Sequence, residues 1–244
     1  MRILLLKNKG FTLVELVMVI IIVGIIATIG IRTMSGSIES AKYEHTKKEM
    51  QQLVYAICGN PDIYTNGSRS NYGYVGDIGA LPPNLDALVS NPGYSTWHGP
   101  YINSDGNDDY KKDAWNVNYE YSGTLLRSTG SGNNIDKALP VTSSELFNNN
   151  ISGYIVDADN NSPGTTYIGS LLLILEYPDG GGNMITMTTL PDKNGAFSFG
   201  NVPVGSHRFK AIYIPDSDTI TGIVAVTPKS DVKLNITFPA DLWQ

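Results

Sequence analysis

A single apolar run near the start of the chain constrains its fold more than any other feature. From Phe11 to Ile31 only Glu15 carries a charge, and most other positions are Leu, Val, Ile or Met. About 20 apolar residues are enough for a helix to cross the hydrocarbon core of a membrane. We therefore predict a transmembrane helix over residues 11–31, preceded by a short basic segment that favours a cytoplasmic N-terminus.

Glu15 is the one residue of this run that a simple membrane anchor does not explain. A carboxylate near the middle of a spanning helix costs about 2.5–3.5 kcal/mol, and less near the interface. If the chain is cut between Gly10 and Phe11, the new amino group of Phe11 becomes a counter-charge for Glu15 of a neighbouring copy. An unpaired charge in a water-poor helix bundle is heavily penalised. Such a pair would therefore favour assembly and fix the axial stagger between copies.

The segment Gly10-Phe11-Thr12-Leu13-Val14-Glu15 resembles the processing and assembly motif of type IV pilins and of the pseudopilins of type II secretion. The resemblance implies that a prepilin peptidase cuts after Gly10 and methylates Phe11 to N-methylphenylalanine. It also implies that Glu15, with the Phe11 amine, guides subunits into a filament. The implied partners are this peptidase, copies of the chain, other pseudopilins or pilins, and an inner-membrane assembly platform. The implied location is the bacterial inner membrane, with a single pass and the C-terminal domains in the periplasm, and then an extracytoplasmic filament.

Beyond Ile31 the helical period continues but becomes amphipathic, and Gly59 with Pro61 indicates where the helix ends. We predict one helix over residues 11–58 and a head domain over 59–147. Within the head, residues 60–80 are expected to form an irregular loop, and residues 85–89 a short helix. The alternation of large and polar side chains over 113–121 predicts a strand of a small antiparallel sheet packed on the long helix.

Two segments of the head extend the resemblance to the G-type major pseudopilin. They are Trp97-His98-Gly99-Pro100-Tyr101-Ile102 and residues 113–121, and the loop over 128–136 resembles a third segment of that family. In that family the loop binds calcium through carboxylate and carbonyl oxygens. Here only Asp136 supplies a charge, with Asn133 and Asn134 as further oxygen ligands, so calcium binding and a plain Gly/Asn turn are both open alternatives. No other cofactor is expected.

The cysteine count also separates pseudopilins from many pilins. Cys58 is the one cysteine of the sequence, so no intrachain disulfide can form. Many type IV pilins are described with a disulfide-closed loop near the C-terminus, and this chain lacks it. The difference favours the pseudopilin interpretation.

After residue 150 the pattern changes to short alternating runs separated by turns, which is typical of a β-sandwich. We expect Asn148–Asn150 to be a linker, Asn194-Gly195 to close a β-hairpin, and residues 157–161 to be a solvated turn. The segment is similar to carboxypeptidase regulatory-like domains, which are transthyretin-like sandwiches and usually non-catalytic. The predicted strands are Tyr154–Val156, Leu171–Tyr177, Met184–Leu190, Ala196–Phe199, His207–Ile214, Thr219–Val226 and Val232–Phe238.

Composition and motifs argue against two broad classes of function. The net charge is −6, with 16% charged residues and no basic run, whereas nucleic-acid binding needs clustered Lys and Arg. The three histidines are far apart in the sequence, and no catalytic triad, zinc or phosphate-loop motif is present. We predict no catalytic residues and no enzymatic activity.

These observations predict an α+β protein: a long N-terminal transmembrane and amphipathic helix packed on a small antiparallel sheet, then an all-β sandwich. The predicted domains are a cleaved leader (1–10), the helix (11–58), the head (59–147) and the sandwich (148–244). The predicted function is that of a prepilin-like subunit of a type II secretion pseudopilus that helps export proteins. The alternatives are a type IV pilin whose sandwich mediates surface or glycan adhesion, and a static membrane-anchored periplasmic binding protein.

Overall fold

The computed structural model describes residues 10–104, 106 and 108–243. The predicted leader therefore lies, apart from Gly10, outside the described residues. The fold is α+β, as predicted: a long N-terminal helix is followed by a region rich in antiparallel sheets.

Helix α1 runs from Leu13 to Cys58 without interruption. Its 46 residues correspond to about 69 Å at 1.5 Å per residue. Thr12 caps its start, and Gly59 ends it with φ +77°, donating its N–H to the carbonyl of Tyr55. The stop predicted from Gly59 is therefore confirmed. The first half of the helix is exposed, whereas the second half buries one face against the head, with Met50, Leu53, Val54 and Ile57 among its buried side chains.

The first part of the head is more ordered than its Gly- and Asn-rich sequence indicates. Strands β1 (Tyr64–Thr65) and β2 (Ser68–Arg69) form a small hairpin around Asn66-Gly67. Helix α2 (Gly73–Ile78) then packs on α1. The prediction of an irregular loop over 60–80 was thus wrong for these elements, because α2 buries three large side chains, those of Tyr74, Val75 and Ile78.

The rest of the head is a small sheet flanked by short helical turns. A 3-10 helix spans Leu85–Leu88, close to the helix predicted there. Strands β3 (Glu120–Tyr121), β4 (Leu125–Ser128) and β5 (Ile135–Ala138) pair antiparallel in that order, and helix α3 (Ser143–Phe147) follows. The strand predicted over 113–121 is confined to its last two residues.

The C-terminal region forms two four-stranded sheets that enclose one hydrophobic cluster. One sheet has the order β11-β10-β7-β8; in the other, β6 pairs antiparallel with β9 and in parallel with β12 and β13. The elements are β6 (Asn149–Val156), α4 (Gly164–Tyr167), β7 (Leu171–Pro178), β8 (Met184–Thr189), β9 (Ala196–Val202), β10 (Gly205–Tyr213), β11 (Asp218–Val226), β12 (Asp231–Lys233) and β13 (Ile236–Thr237).

Two local predictions for this region were wrong. The Asn148–Asn150 run is not a linker, because β6 begins at Asn149 and the buried side chain of Asn149 donates to the carbonyl of Val202 at 3.2 Å. Asn194-Gly195 does turn the chain, but only Gly195 adopts a positive φ, +80°. The strands on either side of this turn belong to different sheets, so they do not form a hairpin.

Backbone hydrogen bonds join the head to the sandwich. Gly180 donates to the carbonyl of Ile78 at 2.8 Å, Ser95 donates to the carbonyl of Gly182 at 2.9 Å, and Val204 donates to the carbonyl of Leu146 at 2.8 Å. The side chain of Val204 is buried in the hydrophobic cluster of the head. We call this contact region the head–sandwich junction.

Candidate functional site

The start of α1 is organised by a reciprocal pair of hydrogen bonds between Thr12 and Glu15. The backbone N–H of Glu15 donates to Thr12 Oγ1 at 3.2 Å, and the N–H of Thr12 donates to Glu15 Oε2 at 3.4 Å. This is a capping box, which satisfies backbone donors that a helix start otherwise leaves free. The Thr-x-x-Glu spacing in front of an apolar run is its sequence signature. Glu15 therefore has a role within its own chain besides the predicted role between subunits.

The first half of α1 exposes an almost continuous apolar surface. Its most apolar 18-residue window has a mean hydropathy of 2.8, and none of that window is buried. Phe11, in front of the helix, is 75% exposed. By length and composition, α1 is the single helix of the described residues that can cross a membrane. This surface needs a cover of lipid or of other helices, because large exposed apolar patches on soluble proteins mark interaction sites.

The hydroxyl groups on this half of the helix are already hydrogen-bonded to its own backbone. Thr28 Oγ1 donates to the carbonyl of Gly24 at 2.8 Å, and Thr33 Oγ1 to that of Ile29 at 2.9 Å. Ser35 and Ser37 make the same bond to the residue four positions earlier. These side chains can therefore enter apolar surroundings without an unsatisfied hydroxyl group, which would be expensive there.

The second half of α1 is held to the head by polar contacts as well as by its apolar face. Trp115 Nε1 donates to Glu39 Oε2 at 2.7 Å, and Tyr119 Oη donates to Glu49 Oε2 at 3.1 Å. The buried hydroxyl oxygen of Thr46 accepts the N–H of Ala114 at 3.2 Å. The head is thus fixed to the helix along much of the contact.

Asp113, at the start of the segment predicted as a strand, contacts the beginning of the 128–136 loop, and its carboxylate accepts four hydrogen bonds. Ser128 Oγ donates to it at 2.6 Å and the backbone N–H of Gly130 at 3.0 Å, both to Oδ2. The N–H groups of Trp115 and Val117 donate to Oδ1, each at 3.0 Å. A Cβ on Gly130 would lie 2.5 Å from Oδ2 of Asp113. The contact therefore requires glycine, and it fixes the entry into the 128–136 loop.

The predicted calcium ligands occupy different parts of that loop. Asp136 lies on β5, and both of its carboxylate oxygens accept hydrogen bonds from Arg127 on β4, at 2.7 and 2.8 Å. The guanidinium group of Arg127 holds the pKa of Asp136 below its ordinary value. Asn133 lies in the exposed turn in front of β5, where its N–H donates to Ser131 Oγ at 3.3 Å, and the exposed Asn134 follows it. A calcium ion at Asp136 would compete with Arg127 for this carboxylate.

No other part of the described chain gathers the ligands of a metal site: no group of three or more His, Cys, Asp or Glu side chains there is arranged to hold an ion. In the 157–161 turn, residues 158–161 are exposed as predicted, but Asp157 is fully buried. Its carboxylate accepts the N–H of Asn161 at 2.7 Å and that of Trp243 at 3.2 Å. The role of Asp157 is therefore to hold the chain end against the sandwich.

The cysteine and the three histidines lie in four separate places of the structure. Burial raises the pKa of the Cys58 thiol to about 12, so it is a poor nucleophile at neutral pH. Burial lowers the pKa of His207, whose Nε2 lies 2.7 Å from the carbonyl oxygen of Pro203. His45 faces Glu49 on α1 at 3.3 Å, and His98 faces Asp77 in the head at 3.6 Å.

With this geometry described, comparison with known proteins identifies the N-terminal segment. Residues 5–31 match the family described as the prokaryotic N-terminal methylation motif. The chain is similar to type IV pilins and pseudopilins. A type II secretion system core protein G from Xanthomonas campestris is 32% identical over 96 residues. That match covers 38% of this chain and 57% of the relative, so the chain spans somewhat over half of the relative's length. Neither the motif nor this relative is described as an enzyme.

Solved structures give weaker likenesses. The dioxygenase domain of a dioxygenase and carbohydrate-binding protein fusion from Streptomyces sp. SirexAA-E has a TM-score of 0.30 at 14% identity, covering 41% of this chain and 85% of that one. The major pilin subunit of Bacillus cereus has a TM-score of 0.26 at 16% identity, covering 50% and 41%. Scores this low carry no argument about function.

Proposed function

We propose that the chain is a prepilin-like filament subunit, cut by a prepilin peptidase between Gly10 and Phe11, that assembles a type II secretion pseudopilus and so helps export proteins. The observation that carries the proposal is the continuous helix α1, whose apolar half is exposed from the methylation motif onward. The similarity to a secretion system core protein G supports the pseudopilin role over that of an adhesive pilin.

The mechanism is the transfer of this apolar helix from lipid into a bundle of like helices. Apolar surface is covered in both places, so the transfer has little hydrophobic driving force of its own. The direction is supplied by charge: the new Phe11 amine of one subunit pairs with Glu15 of its neighbour in a water-poor bundle. The partners are copies of the chain, other pseudopilins, and the inner-membrane platform that inserts them. The head and the sandwich lie on the periplasmic side of the membrane.

The processing step is tested by mass spectrometry of the mature N-terminus in the native host. We expect a methylated Phe11 at the start of the chain, and a Gly10→Val variant that keeps Met1. The matched control is Gly36→Val, because a Cβ at either glycine meets nothing within 4 Å. An intact Met1 in the unaltered protein would instead show a static anchor. Neighbouring genes for secretion or for pili would separate pseudopilin from pilin.

The assembly step is tested by substitutions that separate the charge of Glu15 from its capping bond. Glu15→Gln keeps an amide that serves in a capping box but removes the charge, whereas Thr12→Ala removes the cap and keeps the charge. Breaking a buried ion pair costs about 3–5 kcal/mol, and about 1.4 kcal/mol is tenfold in an equilibrium. We therefore expect Glu15→Gln to reduce filament yield at least tenfold, and Thr12→Ala to have a smaller effect.

The control for the assembly test is Glu44→Gln, on the exposed, charged part of the same helix. It should leave filament yield unchanged. Normal filaments from Glu15→Gln, as counted by electron microscopy, would mean that Glu15 acts only as a cap. The charge-pairing mechanism would then be wrong even if processing at Phe11 were found.

A further inference from the structure

The sheet β11-β10-β7-β8 ends on both sides in a strand without the usual protection of an edge. β8 contains no charged residue and no proline, and β11 is uncharged from Thr219 to Val226. The pairing of β8 with β7 and of β11 with β10 is regular throughout. Natural edge strands usually carry lysine, proline or a bulge that prevents further pairing. By contrast, β12, in the other sheet, has charges at two of its three positions, Asp231 and Lys233.

The directions of the two edge strands, β8 and β11, allow them to pair between copies. Neighbouring strands in the order β11-β10-β7-β8 are all antiparallel, so β8 runs opposite to β11. When two copies face the same way, as subunits of a filament do, β8 of one copy next to β11 of the next is again an antiparallel pair. The alternation of strand directions then continues unbroken from one copy to the next.

The side chains also match in this arrangement. For copies that pair without a shift along the strands, the registers within one chain bring Thr186 of β8 opposite Ile223 of β11, and Thr188 opposite Thr221, on the outer face of the sheet. No charged pair arises on either face. Ile223, which is 74% exposed in the single chain, would be covered by the neighbouring strand. This gives a reason for an exposed isoleucine at a position where a sandwich normally has a polar residue.

The charges near one end of the paired strands are complementary. Asp179 precedes β8 and Lys229 follows β11, so the antiparallel arrangement brings these two opposite charges to the same end. Lys229 also forms an ion pair with Glu145 of its own chain, at 3.1 Å. At the other end, Asp192 and Lys193 after β8 carry no net charge toward Asp216 and Asp218 at the start of β11. The pair at the first end favours this strand direction over the reversed one.

We infer that β8 of one subunit pairs antiparallel with β11 of the next, so that the sandwiches form a continuous sheet between subunits. The inference rests on the proposed function, because it takes a filament to hold the copies in one orientation. The interface is heterologous: each copy uses two different surfaces, and such contacts form an open polymer when the rotation between copies does not close a ring. The partner is thus a second copy of this chain, recognised through backbone hydrogen bonds.

Disulfide cross-linking of the full chain, in membranes of a host that assembles it, tests the inference. Directly opposite residues of an antiparallel pair have Cβ atoms about 4.5–5.5 Å apart, close to the distance a disulfide spans. We expect Thr188→Cys with Thr221→Cys in one chain to give a ladder of covalent multimers on oxidation. Thr186→Cys with Ile223→Cys tests the same register two residues along. Cys58 does not interfere, because it is buried.

Matched controls show which two edge strands are paired. Thr188→Cys and Thr221→Cys made in separate chains and mixed should give dimers and nothing larger. Thr188→Cys with Ser198→Cys, a pair whose second member lies exposed in the other sheet, should give no ladder. Dimers from Thr188→Cys alone would show symmetric pairing of two β8 edges and would overturn the inference.

The outcomes also separate this inference from the proposed function. Filaments with a methylated Phe11 but no ladder from either cysteine pair would overturn the sheet and leave the filament function standing. A ladder in a chain that keeps Met1 and forms no filaments would support the edge pairing and contradict the proposed function. As a second readout, Thr188→Lys should reduce cross-linking of the Thr186→Cys, Ile223→Cys pair at least severalfold.

Discussion

Three aspartates of the sandwich, Asp157, Asp179 and Asp192, have the same local hydrogen bonds, and the first two lie in different surroundings. Asp157 accepts the N–H groups of Asp159 and Asn161, and Asp179 accepts those of Gly181 and Asn183, two and four residues further on. Asp179 lies at an exposed turn, whereas Asp157 is fully buried and also accepts the N–H of Trp243. The same short motif is thus a surface turn in one place and a fixed point of the chain end in the other.

This difference predicts a pH-dependent contribution to stability. Burial alone would raise the pKa of Asp157, but the N–H groups of Asn161 and Trp243 outweigh it, so the folded pKa lies below the ordinary value. A lowered pKa stabilises the fold above the unfolded value of about 3.9, and this contribution is lost as the pH falls through the lower folded pKa. Asp157→Asn should therefore lower the free energy of unfolding by about 1–3 kcal/mol at pH 7. The difference from the unaltered protein should shrink below about pH 4.

Denaturant titration of the full chain in detergent at several pH values measures this effect. Asp179→Asn is the matched control, and it should cost less because water can replace the lost acceptor. Equal losses for the two variants, or a loss for Asp157→Asn that does not change with pH, would contradict the assignment.

The elements of the head–sandwich junction come together at two glycines, Gly182 and Gly79. Gly182 has φ +88°, and a Cβ there would lie 2.4 Å from the ring of Tyr94. On the other side of the junction, Gly79 has φ +77°, and its Cβ would lie 2.6 Å from the carbonyl oxygen of Pro178. The backbones of the head and the sandwich approach each other directly at these points, which side chains would prevent.

Gly182→Ala should therefore destabilise the junction by more than the cost of placing an alanine at a positive φ. The matched control is Gly132→Ala, since Gly132 has a similar φ of +81° with nothing within 4 Å of an added Cβ. A left-handed conformation costs a non-glycine residue about 1–2 kcal/mol, which both variants incur. Thermal unfolding should show a lower Tm for Gly182→Ala than for Gly132→Ala. Equal Tm values would mean that Tyr94 moves aside freely.

The sequence predicted elements well where a single local rule decides them. Helix α1 and most of the sandwich strands follow from periodicity, since each of them buries a regular face, whereas β8 has no buried side chain. The sequence did not predict the elements whose deciding contact is made with residues far away along the chain. Helix α2 is short and glycine-rich and depends on packing against α1, and the strand predicted around Asp113 is replaced by a turn that closes on Ser128 and Gly130.

The candidate site shows the same difference between local signals and contacts that are distant in sequence. The motif at Gly10, Phe11 and Glu15 is contiguous and was readable directly. The capping box of Thr12 was equally readable and was missed because Glu15 had been considered only as a charge. The ion pair of Asp136 with Arg127 was not readable, because it depends on the register of β4 and β5.

In the whole molecule, the head and the sandwich share buried surface and backbone bonds, so they should unfold together. Val204 of the sandwich lies in the cluster of the head, and no flexible linker separates them, because β6 begins at Asn149. Trp115 reports on the head and Trp243 on the sandwich. In variants that keep only one of these two tryptophans, with Trp97→Phe in both, the fluorescence transitions in denaturant should coincide.

Two clearly separated transition midpoints would contradict this coupling. Truncation gives a second measure that does not depend on fluorescence. A chain ending at residue 147 loses Val204 and the bond to Leu146. It should unfold at a lower denaturant concentration than the full chain, as followed by circular dichroism.

The hydroxyl groups of Thr28, Thr33, Ser35 and Ser37 have a consequence for the transfer of α1. Each is bonded to a carbonyl of its own helix, so none has to exchange a partner when the helix moves between lipid and other helices. In the proposed filament, these hydroxyl groups therefore add little to the free energy of moving the helix between lipid and other helices. The direction of the transfer is left to the charge pair of Phe11 and Glu15.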